Sequence, residues 1–256
     1  MRKPLGLLSL SLGASCASIA PPPSFDATLL GADQYVFRGV PQNERGVLQA
    51  DISSTLPLEN GDALSLGAWA NFDGGDRTGD AALPGGSGGS ASEIDLLVGY
   101  SRTVNHVDLS FGLVNYNFPS VTFASTTEAY LEAGTTLHGV DAVASIYYDI
   151  EEVHGLYSRI DLAKSFDVSE DLALDLAAGI GWSDSDHSSA YYGAASSELA
   201  DAGITLGLSH ALDEHRSISV QGAWSSILGS DLSDAIDGAG MDDSNLVTSI
   251  SMSWSY

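Results

Sequence analysis

Residues 246–256 read Leu-Val-Thr-Ser-Ile-Ser-Met-Ser-Trp-Ser-Tyr and alternate almost without error. Leu246, Thr248, Ile250, Met252, Trp254 and Tyr256 fall on one face, and Val247, Ser249, Ser251, Ser253 and Ser255 on the other. Successive side chains of a β-strand point to opposite faces, so this segment is a strand with one apolar side and one small polar side. A single segment of this kind also suits a half-buried strand in water. Repetition is more informative, because a bilayer admits β-structure only as a closed sheet, apolar outside and polar within, with every backbone group paired.

The pattern recurs. Twelve candidate strands follow Pro21-Pro22-Pro23, at about 27–39, 47–57, 62–72, 93–103, 107–117, 126–136, 139–149, 155–165, 171–182, 200–211, 216–227 and 245–256, each long enough for a tilted crossing. The ninth is the clearest: Leu172, Leu174, Leu176, Ala178, Ile180 and Trp182 face one way, and Asp171, Asp175, Gly179 and Gly181 the other. Connections after even-numbered strands are short and carry turn residues, as at Glu59-Asn60-Gly61, Asn105-His106, Leu137-His138, Val168-Ser169-Glu170 and Asp213-Glu214. Those after odd-numbered strands are mostly longer and rich in Gly, Ser and Asp, as at 73–92, 183–198 and 229–244. Long loops on one rim and tight turns on the other is the layout of outer-membrane barrels. The expected fold is all-β: a transmembrane antiparallel up-and-down barrel of twelve strands, with ten or fourteen as alternatives, forming one domain over residues 21–256. A lipocalin-like barrel would point its apolar face inward; the terminal aromatic strand and the loop asymmetry argue against it.

The N-terminus agrees. Arg2 and Lys3 precede an apolar stretch, Leu5–Leu12, and then small residues from Ala14 to Ala20. This is the layout of a secretory signal over 1–20, with cleavage after Ala17 or Ala20, and it is too short to span a bilayer. Gly13 stands where a lipoprotein signal wants an aliphatic residue, so Cys16, the one cysteine, is expected to leave with the signal. No later stretch approaches eighteen consecutive apolar residues. The formal charge is −25 with nine Lys or Arg, which excludes a nucleic-acid partner. Bacterial outer-membrane lipids and lipopolysaccharide are the expected surroundings, and Trp254 and Tyr256 resemble the signal read by the outer-membrane assembly machinery.

Tyr35-Val36-Phe37-Arg38-Gly39-Val40-Pro41-Gln42 resembles the first-strand signature of the TorF-like family of small Gram-negative porin-type barrels, a Tyr-x-Phe-Arg-Gly-x-Ser-Gln element with Pro41 in place of Ser. Further resemblances are Gly67-Ala68-Trp69-Ala70-Asn71-Phe72-Asp73, Glu93-Ile94-Asp95 with Val98-Gly99-Tyr100, and Tyr116-x-Phe118-Pro119. They cover about the first half of the mature chain. What the resemblance implies is a closed porin-type barrel; it carries over no substrate.

With the apolar side of each strand facing lipid, the opposite side collects Asp51, Asp95, Asp108, Glu128, Glu132, Asp141, Asp161, Asp175 and Asp201, with Arg38 and Arg159 on the same parity. A charge facing lipid near the midplane would cost roughly 2–4 kcal/mol. These side chains therefore belong to a lumen, either as a negatively biased pore or as a paired network that fills a narrow barrel. Tyr35, Phe37, Tyr100, Tyr148, Trp182, Trp224, Trp254 and Tyr256 lie near strand ends and read as interface girdle residues; Trp69 has inward parity. Of the six histidines, His106, His138, His210 and His215 sit beside short turns, while His154 and His187 lie on the long-loop side. No nucleophile motif accompanies them, so no enzyme is expected. Asp184-Ser185-Asp186-His187 and the Asp231–Asp243 stretch are acidic loops without the spacing of a calcium loop; no metal and no cofactor is expected. The leading functional expectation is passive diffusion of small hydrophilic solutes, cations preferred. The alternative is a filled barrel acting as scaffold or adhesin.

Overall fold

The computed structural model describes residues 22–58, 61–76 and 87–256. The secretory segment with Cys16, Ala17 and Ala20, the Glu59-Asn60 part of one turn and residues 77–86 of the glycine-rich loop lie outside them. In chain order the elements are β1 (Ser24–Ala32), β2 (Tyr35–Phe37), β3 (Val40–Asn43), β4 (Val47–Pro57), β5 (Ala63–Asp73), β6 (Ala91–Val104), β7 (Val107–Asn117), β8 (Thr126–Leu137), β9 (Val140–Asp149), β10 (Leu156–Asp167), β11 (Leu172–Ser183), α1 (Ser185–Tyr191), β12 (Glu198–Ala211), β13 (Arg216–Ile227), α2 (Ser230–Gly238) and β14 (Ser244–Ser255). β1 and β4–β14 form a closed antiparallel barrel in the order β1-β14-β13-β12-β11-β10-β9-β8-β7-β6-β5-β4, and β2–β3 is a separate hairpin. Twelve strands therefore make the wall. Closure runs from Asp26↔Ser255 to Ala32↔Ser249, and Phe25 and Tyr256 exchange both backbone hydrogen bonds at its foot.

The wall is inside-out compared with a soluble sheet. Leu66, Leu96, Phe111, Leu131, Ile160, Ile204 and Ile250 are exposed, while Ser65, Ser101, Ser110, Ser145, Ser219 and Ser251 on the opposite face are buried. Lumen hydroxyls bond across strands, Ser219 to Ser251 at 2.8 Å and Thr28 to Ser253 at 2.9 Å. A continuous exposed apolar band is tolerable only when lipid covers it.

Two short turns have the backbone their residues favour. Asn105 and His106 have φ 49° and 72°, and His138 and Gly139 have 53° and 74°, the positive values that match a two-residue turn to the twist of its strands. Three loops on the other rim depart from irregular coil. α1 occupies the β11–β12 loop and α2 the β13–β14 loop, while the β1–β4 loop carries the β2–β3 hairpin.

That hairpin corrects the first expected strand. The alternation over 27–39 is real, but the wall strand stops at Ala32. Asp33 ends it by bonding to Thr248, and the chain then turns into the lumen. Period-two alternation reports a strand, not which surface the strand faces.

Elsewhere the lumen requires missing side chains. Tyr130 leans from β8 across Gly112 of β7 and Gly99 of β6, so that a Cβ at Gly112 would meet its ring at 2.8 Å and one at Gly99 would strike its hydroxyl. A Cβ at Gly31 meets nothing within 4 Å. Gly112→Val and Gly99→Val are expected to destabilise by about 1–3 kcal/mol each through overpacking, and Gly31→Ala to be near neutral. Thermal conversion of the heat-modifiable form on unboiled gels reads this. Equal stability of Gly112→Val and Gly31→Ala would show that the Tyr130 packing is not as described.

Candidate functional site

At the tip of the inserted hairpin Phe37 pairs with Val40, leaving Arg38-Gly39 as a two-residue turn with φ 49° and 83°. Both values are positive, as the tightest hairpin turns require. Glycine takes such a φ freely and arginine does not. A Cβ on Gly39 would also meet Asp201 Cβ at 3.0 Å.

Arg38 reaches across the lumen. Its Nη1 and Nη2 donate to Glu128 Oε1 and Oε2 of β8 at 2.8 and 2.7 Å, a bidentate pair with side chains only 7% and 1% exposed. Tyr116 adds its hydroxyl to Glu128 Oε2 at 2.9 Å. The guanidinium carbon lies 4.2 Å from the Tyr157 ring centroid, 4.8 Å from Phe37, 5.2 Å from Tyr147 and 5.7 Å from Tyr191. These are cation–π distances in a desolvated setting. Tyr192 donates to the Arg38 carbonyl at 2.9 Å, and Asn245 Nδ2 to the Gly39 carbonyl at 3.2 Å. The hairpin is thus held at its tip from four sides.

His187 completes the group. Asp184 caps α1 by accepting the His187 N–H at 2.9 Å, which sets the imidazole parallel to Tyr191, 14° and 4.3 Å between centroids. Its Nε2 lies 2.8 Å from Arg38 Nη1. Arginine can only donate, so Nε2 accepts and the proton sits on Nδ1, which is buried without a partner. Burial, and then the adjacent guanidinium, push the His187 pKa down to about 2. Burial raises the Tyr191 and Tyr192 hydroxyls above their ordinary range.

Above this layer Val40, Tyr157, Tyr192, Ala200, Ile227, Leu232 and Ile236 form a buried apolar cluster. Leu232 and Ile236 stand one helical turn apart on α2. The long-loop half of the lumen is therefore packed. A second arginine stands lower: Arg159 of β10 donates to Asp201 Oδ2 at 2.5 Å and Asp161 Oδ1 at 2.8 Å, and Tyr157 donates to Asp201 at 2.7 Å. Gly179 and Gly181 of β11 leave the room this group occupies.

The short-turn half is different. Asp108 accepts from Thr103 at 2.6 Å, Asp141 from Thr136 at 2.5 Å and Asp175 from Ser165 at 2.6 Å, all toward water. Glu132 accepts from Tyr147 at 2.9 Å. Asp51 is half-buried on β4 opposite Trp69, whereas Asp95 lies near the long-loop end of β6, opposite Tyr116 of β7, buried and with its Oδ1 unpartnered. Of the nine carboxylates read as lumenal, Glu128, Asp161 and Asp201 are ion-paired to the two arginines. The other six are not brought to either arginine.

Among the girdle residues, Tyr100, Tyr148, Trp182, Trp224 and Trp254 have outward parity, with Trp224 Nε1 on Ser244 at 3.0 Å. Tyr256 stacks on His215 at 4.9 Å. Tyr35 and Phe37 are corrected. They sit on the inserted hairpin, Tyr35 buried against Trp69 at 5.5 Å and Phe37 partly buried against Tyr116 at 6.2 Å. Arg38 likewise belongs to the plug and not to a wall strand. His187, expected in an outer loop, is buried against Arg38, and α1 and α2 lie beyond the expected elements. The Leu232/Ile236 spacing signals α2, and Asp184 three residues before His187 signals the α1 cap, but a seven-residue helix is too short for periodicity to reveal.

No protein-family model and no curated protein matches the chain. Among solved structures, a NanC porin aligns with 89% of this chain and 98% of its own at 8% identity and TM-score 0.53. A KdgM porin in complex with disordered oligogalacturonate aligns with 91% of this chain and 99% of its own at 9% identity and TM-score 0.50. The likeness is one of fold: a closed twelve-stranded barrel of the outer-membrane porin type.

The His187 pKa gives a pH expectation. A group whose folded pKa is depressed contributes stability that is fully present above its unfolded value, near 6.5, and is lost as pH falls toward the folded one. Wild type should lose thermal stability relative to His187→Gln between about pH 6.5 and 2. Parallel melting curves for the two proteins across that window would refute the burial of a neutral imidazole.

Proposed function

We propose that the chain is an outer-membrane channel for passive diffusion of small hydrophilic solutes, cations preferred, with the β2–β3 hairpin closing its long-loop end at rest. The observation that carries this is the division of lumen charge. Six inward carboxylates lie away from both lumenal arginines, and three of them accept from hydroxyls in a water-accessible vestibule. A hydroxyl satisfies a lone pair without cancelling its charge, and carboxylate rings favour cations in pores. The porin fold of the two solved structures supports the same reading, as does the secretory pattern over residues 1–20. The Arg-Gly element, here a plug tip, fits membership of the TorF-like family. We read no enzymatic role: among the described residues the hydrogen bonds of histidine ring nitrogens run to Arg38 and backbone carbonyls, not to a nucleophile. Trp254 and Tyr256 would serve recognition by the assembly machinery as well as closure.

A second reading has its own observation. The buried apolar cluster of Val40, Tyr157, Ile227, Leu232 and Ile236 suits a permanently filled barrel whose loops serve as scaffold or adhesin.

Planar-bilayer recordings separate the two. A variant with residues 34–45 replaced by a short Gly-Ser link is expected to conduct in larger or longer-lived steps than wild type, with reversal potentials showing cation preference that falls as salt rises. Asp108→Asn, Asp141→Asn and Asp175→Asn together should reduce that preference. A folded, heat-modifiable link variant that passes no current favours the filled barrel, and an anion preference would overturn the lumen assignment. For assembly, deletion of residues 254–256 is expected to lower membrane-inserted protein sharply, and wild-type insertion would sink that role.

A further inference from the structure

The Arg38 environment has the parts of a ligand site in which ligand and receptor come from separate pieces of the chain. The receptor belongs to the wall and its cap: Glu128 on β8, Tyr147 on β9, Tyr157 on β10, and Tyr191 with His187 on α1. The three strands are fixed by full barrel ladders, and α1 by its Asp184 cap. The occupant arrives on a hairpin whose ladder pairs only with itself, over three registered positions. It is tied to the wall by side chains, and its tip residue holds a positive φ of 49° that arginine does not favour.

We propose that this wall cage is a binding site for alkylguanidinium cations, which Arg38 occupies from within. The chemistry is specific. A bidentate carboxylate at 2.7 and 2.8 Å matches the guanidinium fork. Tyrosine rings at 4.2, 5.2 and 5.7 Å stabilise a weakly hydrated planar cation. His187 Nε2 offers one further acceptor at 2.8 Å. Potassium, a spherical ion more strongly hydrated than guanidinium, has no N–H fork for the carboxylate, and an anion is repelled by Glu128. Arg159 provides the contrast: it is bound by Asp161 and Asp201 but grows from the wall itself, so its site cannot be vacated.

The test is chemical rescue, read as binding and therefore independent of whether the barrel conducts. Arg38→Gly relaxes the turn and empties the cage in the otherwise intact chain. Its thermal midpoint should lie below wild type, and methylguanidinium should raise it saturably, with half-effect on the order of millimolar. Potassium at equal ionic strength should do less. Wild type should respond much less over the same range, because its own Arg38 already fills the cage and free ligand can only compete with it. The rescue should vanish in Arg38→Gly/Glu128→Gln. Equal effects of potassium and methylguanidinium, an undiminished rescue in the double variant, or no rescue at all would overturn the site. If Arg38→Gly does not fold, refolding of it and of Arg38→Met with and without methylguanidinium gives the same decision: recovery of the heat-modifiable form supports the cage, and failure in both overturns it.

Discussion

In hydrocarbon a backbone N–H or C=O has no water to turn to, and this governs the chain from end to end. Twelve strands close because an open edge would leave a row of such groups unpaired. The one place where the ladder stops early shows the rule at work. β1 ends at Ala32 while β14 runs on from Ser249 to Ser244, and polar side chains take over part of the missing strand's role. Asp33 donates its N–H to the Thr248 carbonyl at 3.1 Å and accepts the Thr248 N–H on its carboxylate at 2.9 Å. Gln34 donates its amide to the Leu246 carbonyl at 2.9 Å. Only with those groups satisfied can the backbone leave the wall, and leaving the wall is what places a hairpin in the lumen.

The hairpin carries a charge into a dry place, and its geometry reflects the cost. A buried ion pair stabilises only when nearly every hydrogen-bonding valence is met, and removing one partner typically costs about 3–5 kcal/mol. Glu128 accepts two arginine hydrogen bonds and one from Tyr116. Arg38 is covered on several sides by aromatic rings, with His187 as a further acceptor. The same accounting explains why the histidine is neutral: an imidazolium beside a guanidinium, fully buried, would add an uncompensated charge. The orphaned Nδ1 proton is the residue of that compromise. In this layer one carboxylate, one guanidinium, one imidazole and the five rings of Phe37, Tyr116, Tyr147, Tyr157 and Tyr191 depend on each other, and none is intelligible alone.

The barrel was legible because its signals are local. Alternation in Leu172–Trp182 or Leu246–Tyr256 states both the element and its two faces; Asn105-His106 announces a turn whose positive φ the structure then shows, and the turn expected at Leu137-His138 falls one residue later, at His138-Gly139. The plug was not legible, for a physical reason. Tyr35 to Gln42 also alternates, and aromatic residues serve equally at a lipid interface and inside a lumen already lined by Trp69, Tyr116, Tyr147 and Tyr157. What separates the two is tertiary: which rings await them. Arg38-Gly39 as a turn was hidden because arginine is an unusual occupant of positive φ, and only its distant partners make that conformation tenable. α2 was partly legible through Leu232 and Ile236. His187 was not, since its environment is built from β9, β10 and the first loop.

The acidity of the chain acquires a direction from this arrangement. At the long-loop end three lumenal carboxylates meet arginine, Glu128 at Arg38 and Asp161 and Asp201 at Arg159, while Asp95 is buried there without one. Toward the short-turn end the carboxylates meet hydroxyls from the neighbouring strand, Thr103, Thr136 and Ser165, each about one side chain's reach away. The two solutions are not equivalent. Arginine removes both the unsatisfied valence and the charge, which a packed, low-dielectric layer demands. A hydroxyl removes only the valence and leaves the field to act on whatever enters from that rim, screened by the water and salt present there. The lumen thus has a neutralised, closed half and a charged, wet half. Their boundary lies near Arg159, whose side chain is 17% exposed against 7% for Arg38. On the proposed channel reading, a cation entering by the short-turn rim meets Asp108, Asp141 and Asp175 first and the paired arginine layer last.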